Sequence, residues 1–220
     1  WCYPRFFFCY TIGMKVVLKK EYRWLGILLL VLGILFGWQL FQPYIFRSPD
    51  EAANQIFITR FANHQLLHFF SPLTTGEQQF FSPRSVSISN GQIRPGSFLG
   101  FVMVGGLLTR WFGVHGMAIF QILAFLLGLV SWYRIVRRYW ESTWAMASVV
   151  LLASHPAVVQ FVTLPLFHSG LLLSGLLITG ITVLRYQEVP SWQRAIWVGI
   201  AAGATLFIRP SEVFWVAPAI

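Results

Sequence analysis

The chain has 220 residues, of which 56% are hydrophobic and only 10% charged, against about a quarter charged in a soluble domain. With a mean hydropathy of +0.65, a soluble globular protein is excluded. The formal net charge of +9 does not signal nucleic acid, because the cations fall between apolar runs, where the positive-inside rule puts Lys and Arg, and form no patch. The two cysteines, Cys2 and Cys9, sit together near the start and imply neither a disulfide framework nor a metal site.

Met14, followed by Lys15, Lys19, Lys20 and Arg23, reads as a natural start. Residues 1–13 are therefore read as a non-native leader, and the chain as a fragment of a longer protein. A first membrane helix is expected over 24–46. All three lysines precede it, so it should begin on the cytoplasmic side and end outside. Its run is too long for a signal peptide and lacks a small-residue cleavage site.

Ser48-Pro49-Asp50-Glu51 follows, and Asp50 is the only aspartate in the sequence. The four residues match a capping box, with Ser48 as cap, Pro49 at the first helical position and Glu51 reaching back. The helix is expected to run to about Leu67, with Ala53, Ile56, Phe57 and Phe61 on a face laid against the membrane surface. Two readings of Asp50 and Glu51 stand side by side. They are first-turn acids that offset the helix macrodipole, or a functional carboxylate pair where a membrane helix meets water. His64 and His68, four apart on that helix, have metal-ligand spacing but no third ligand, so a solvated face is the preferred reading.

Residues 71–90 read as loop. Pro95 opens a short, glycine-rich apolar run carrying Gly96, Gly100, Gly105 and Gly106, of the length of an interfacial or re-entrant segment. Spans are then expected over 114–133, 143–161, 168–184 and 195–208. This count puts Arg134, Arg137 and Arg138 inside, as the positive-inside rule prefers. It puts 47–113 outside, together with Asp50, Arg94, His168 and Arg209. The expected fold is an all-α polytopic transmembrane helical bundle with a long outer first loop carrying interfacial helices.

An anchor helix, an acidic pair just outside it, a long first outer loop and a cation-Pro helix opening resemble the GT-C glycosyltransferases. Within them the likeness is to the protein O-mannosyltransferase and aminoarabinose-transferase branch. The resemblance implies a multi-pass enzyme of the cell membrane with its site on the outer face. Such an enzyme moves a sugar from a polyprenyl-phosphate donor to an acceptor, left open here as protein, lipid or glycan. It maps the catalytic carboxylate onto Asp50 with Glu51 beside it, and a basic residue onto Arg94 before Pro95. Gly96 stands where the family has a second proline, and His168 where it often has an acid at the outer end of the third span. Gly203 to Arg209 resembles the late small-Gly-to-cation pattern.

The residue types suit that chemistry independently. Transfer with inversion needs a carboxylate to take the acceptor's proton, and a departing phosphate needs fixed cations where its charge grows. Arg94 and Arg209 fit the second role through their planar forks, or are interfacial anchors to lipid phosphates. His168 reads as a helix-end polar residue that lines the site. No cofactor is named by the residues, and a divalent metal is left open. The competing readings are a transporter or lipid flippase, which would carry polar groups at broken helices in mid-membrane, and a non-catalytic membrane partner.

Overall fold

The computed structural model describes residues 13–41, 46, 48–70, 86–96, 98–113 and 115–216. Helix α1 (Gly13–Gly37) runs into a 3-10 turn (Trp38–Phe41), so the expected anchor over 24–46 starts earlier and leaves α-helical geometry at Gly37. The rest of the bundle is α4 (Gly116–Arg137), α5 (Ser142–Ser154), α6 (Pro156–Thr163), α7 (Ser169–Glu188) and α8 (Trp192–Ile208). A 3-10 turn (Pro210–Glu212) and a short α9 (Val213–Val216) follow.

Helices α4 and α7 are long and apolar enough to cross a bilayer. The α5–α6 pair passes the same test together but is bent by 61°, where Pro156 removes an amide from the ladder and opens a new helix at its first position. Tyr22–Gly37 and Leu99–Phe112 are shorter apolar helices. Large apolar side chains such as Leu30, Ile34, Leu123, Leu127 and Leu151 face outward, which suits lipid and not water.

Side-chain contacts fix the directions. At the ends of α4 and α7, Arg138 pairs with Glu188 at 3.2 Å, so the two helices run parallel. Tyr22 meets Tyr133 and Phe36 meets Phe125, so α1 runs antiparallel to α4. Thr205 shares a 3.3 Å hydrogen bond with Thr179, and Arg194 donates to the Arg185 carbonyl, so α8 returns along α7. Leu25, Phe125, Leu129, Tyr133, Ala145 and Val149 fill the core of this bundle.

A second core caps the other end. There α2 (Pro49–Ala62) and α3 (Leu99–Phe112) pack on each other through Ala53, Phe57, Ile58, Phe101 and Val102. A Cβ on Gly100 would overlap the Phe207 carbonyl oxygen, and one on Gly106 would lie 2.5 Å from Phe61. Glycine at both places lets α3 press onto α8 on one side and α2 on the other. Near its far end the Leu108 carbonyl lies beside Gly116, the first residue of α4. Both ends of α3 thus meet the same end of the bundle, and the helix lies across that end instead of traversing to the other.

The reading of 71–90 as loop is corrected over its last residues. A three-stranded antiparallel sheet of order β1-β3-β2 forms from β1 (Phe69–Phe70), β2 (Val86–Ser89) and β3 (Gln92–Pro95). Asn90 and Gly91 make its two-residue turn with φ of 51° and 73°, the left-handed pair a tight hairpin needs. Val86 and Ile88 turn inward while Ser87 and Ser89 face out. The helix after Ser48 also stops earlier than expected, at Ala62, so His64 and His68 share no helical face. His64 instead takes φ 55° in the turn that follows, and both imidazoles are exposed. The buried face of α2 is Glu51, Ala53, Asn54, Phe57 and Ile58; Ile56, expected on it, is exposed.

Candidate active site

At the start of α2, Ser48 is the N-cap in extended conformation, and its hydroxyl accepts from the Asp50 amide at 3.2 Å. Pro49 takes the first helical position. The turn points its two acids differently: Glu51 is completely buried, whereas Asp50 is half-buried and open to solvent. Only Asp50 can therefore meet a substrate without the helix moving.

One turn along, Asn54 is 2% exposed, and its side-chain amide donates to the Leu166 carbonyl at 2.9 Å. This bond ties α2 to the turn that delivers His168, the residue before α7. Gln121 supports the same turn from below, donating to the carbonyls of Phe161, Val162 and Leu164. Leaving such carbonyls unpaired costs about 1–3 kcal/mol, so these two amides hold the last turn of α6 and the irregular turn that follows it.

His168 is 6% exposed and lies in an aromatic clamp. Phe98 stacks on it at 3.9 Å, Phe167 at 5.1 Å, and Phe101 approaches edge-on at 6.3 Å. Phe98 has φ 60° and ψ 39°, a left-handed conformation that costs a non-glycine residue about 1–2 kcal/mol and that the surrounding packing must hold. Arg209 closes the cluster from the end of α8, its guanidinium 5.6 Å from the Phe98 ring centre. Burial, and to a lesser extent the Arg209 cation, lower the His168 pKa to about 4 against the opposing pull of the Asp50 carboxylate. The imidazole is thus neutral near pH 7, and an acid and a cation from opposite ends of the sequence both act on it.

Of the sequence-derived residues, Asp50, Glu51, His168 and Arg209 lie at the capped end of the bundle. Arg94 belongs to the sheet at that same end, but it is exposed on β3 and bonds to the Gln92 side chain at 2.8 Å. Sequence reasoning missed Asn54, Phe98 and Gln121. A signal existed for two of them: Asn54 is the i+4 neighbour of Asp50, and Gln121 is an amide within an apolar helix.

The dolichyl-phosphate-mannose-protein mannosyltransferase family matches residues 100–220, more than half of the chain. The chain belongs to this family. It is a membrane glycosyltransferase of mannosyltransferase type, an all-α membrane protein as its composition requires. The matched stretch of this mannosyltransferase-family chain contains Gln121, His168 and Arg209 and begins after Asp50, Glu51 and Arg94. No curated protein and no solved structure matches the chain.

Proposed function

We propose that this member of the mannosyltransferase family takes a sugar from a polyprenyl-phosphate donor, dolichyl phosphate mannose in the family's own name, and passes it to an acceptor at the capped end of the bundle. The observation that carries this reading is the convergence of Asp50 and Arg209 around a neutral, clamped His168. Asp50 acts as the general base. It takes the acceptor hydroxyl's proton as the new glycosidic bond forms and the bond to the donor phosphate breaks with its electron pair on oxygen. Arg209 stabilises the charge that gathers on the departing phosphate. Arg94, exposed at the same end, is a second and more peripheral cation for the donor. Glu51, buried, orients the helix turn and not the acceptor, and His168 shapes the site wall without adding a third charge.

The capped end is assigned to the outer face. The opposite end carries Arg134, Arg137, Arg138, Arg185 and Arg194, the cation excess that marks the cytoplasmic side. In this reading α1 and α8 cross beside α4, α7 and the bent pair, while α2 and α3 stay at the outer surface.

The test is sugar transfer by the full-length protein in native membranes supplied with a polyprenyl-phosphate-linked mannose. Asp50→Asn keeps the size and the helix start, costing at most about 1 kcal/mol of local stability. It removes the proton acceptor, so turnover falls by roughly 10²–10⁴ while donor binding stays intact. Near-normal transfer by Asp50→Asn overturns the mechanism and leaves the carboxylate as a helix-start acid.

A further inference from the structure

Far from the Asp50 cluster, α1, α4 and α7 enclose an open cavity of about 370 Å³ at the other end of the bundle. Among the described residues its lining carries four guanidiniums, of Arg134, Arg137, Arg138 and Arg185, and one carboxylate, Glu188. Arg138 is taken by Glu188 and by the Leu184 carbonyl at 3.2 Å. Among the described residues, the guanidiniums of Arg134 and Arg185 make no hydrogen bond or ion pair. The apolar part of the lining is Ile181 and Leu184 on α7, with the Tyr22 ring on α1.

Cations in the last turns of α4 and α7 also offset the helix macrodipoles, which accounts for basic residues here in general. It does not account for two of them converging on one cavity with no partner among the described residues. The cavity joins a cationic rim to an apolar wall at the end of two membrane-crossing helices. Those are the two surfaces a phospholipid presents together, a phosphodiester and the first carbons of its acyl chains. A soluble anion would use only the rim.

We propose that this cavity binds the headgroup of an anionic phospholipid from the leaflet opposite the Asp50 cluster. Arg134 and Arg185 hold the phosphodiester, and the Ile181 and Leu184 wall receives the chain roots. The bound lipid bridges α4 to α7 at the end where Arg138 also joins them through Glu188 and the Leu184 carbonyl. This site is independent of the transfer reaction, and its readout is lipid retention.

The test is native mass spectrometry of the purified full chain in detergent with phosphatidylglycerol, and separately with phosphatidylcholine of the same acyl chains. Phosphatidylglycerol is expected to be retained at least about tenfold more tightly. The double variant Arg134→Gln/Arg185→Gln should weaken that retention by roughly thirtyfold, the effect of two charges near an anionic headgroup. Arg110→Gln, which removes a cation on α3 at the other end, should leave it within about twofold. Arg134→Lys/Arg185→Lys keeps the charge and should retain most of the binding, which separates charge loss from misfolding. Equal retention of the two lipids, or an equal loss in Arg110→Gln, overturns the proposal. So does displacement of phosphatidylglycerol by inorganic phosphate at matched concentration, which would make the cavity a site for a free anion.

Discussion

The two ends of the bundle spend charge in opposite ways. The Arg134–Glu188 end has many charges, nearly all exposed, and its ion pair lies at side chains 32% and 47% exposed. The Asp50 end leaves Arg94 and Arg110 exposed but brings Asp50 and Arg209 to a setting of buried amides, backbone carbonyls and stacked rings. Count follows topology, because the positive-inside rule asks only for cations on one side. Chemistry follows convergence and dehydration, because a fixed charge acts strongly only where water is kept from screening it. The proposed chemistry is therefore assigned to the end where an acid and a cation meet buried amides and rings.

The Asp50→Asn loss of transfer is the largest effect this contrast implies, and removing a carboxylate at the other end is its counterpart. Next in size is Arg209→Ala, which should cost roughly 2–4 kcal/mol of transition-state stabilisation, read from kcat/KM for the donor. Arg209→Lys should recover only part, since a point charge replaces a fork. Arg94→Ala, at an exposed strand position, should lose less than about fivefold. A larger loss for Arg94 than for Arg209 would reverse their assigned roles.

His168 sets a pH dependence of stability. Its folded pKa is about 4 against an ordinary 6.5, so the unfolded chain binds a proton between those values and the folded chain does not. The contribution is complete above pH 6.5 and is lost as the pH falls towards 4, by up to about 3 kcal/mol. Denaturation in detergent across this range should show the slope in wild type and a flatter profile in His168→Gln. An equal slope in both would mean that the imidazole is protonated in the folded state.

Asn54→Leu tests the tie between α2 and the His168 turn. It orphans the Leu166 carbonyl, and a loss of about 1–3 kcal/mol in stability is expected, with a drop in kcat exceeding the change in KM. A substitution that left both unchanged would show that the turn holds its shape alone. The smallest effect belongs to Glu188→Gln, which breaks an exposed pair worth about 0–1 kcal/mol and should leave transfer within about twofold. A loss comparable to that of Arg209→Ala would erase the distinction between the ends.

Much of the fold was legible because a bilayer leaves few choices. Long apolar runs must become helices, Pro49 and Ser48 start one where expected, and Asp50 stands out by being alone. The hairpin was missed, because a polar composition reads as loop; its overlooked signal was the Asn90-Gly91 dipeptide between Val86-Ser-Ile-Ser and Gln-Ile93. Glu51 was not separable from Asp50 by sequence, since adjacent residues on a helix point 100° apart and only packing decides which is buried.

By itself, then, the sequence determined that this protein is a helical membrane protein with cations gathered at one end and a lone Asp-Glu pair after its first apolar run. These follow from hydropathy, helix periodicity and charge order, all local quantities. The tertiary structure alone decided that α3 lies across the bundle end, through glycines that let backbones touch. It also decided that Arg209 meets the Phe98 ring that stacks on His168, that Asn54 reaches Leu166, and that Glu51 is sealed away from solvent. Each joins residues far apart in the chain, and their proximity depends on how whole helices pack, which no short window of sequence records.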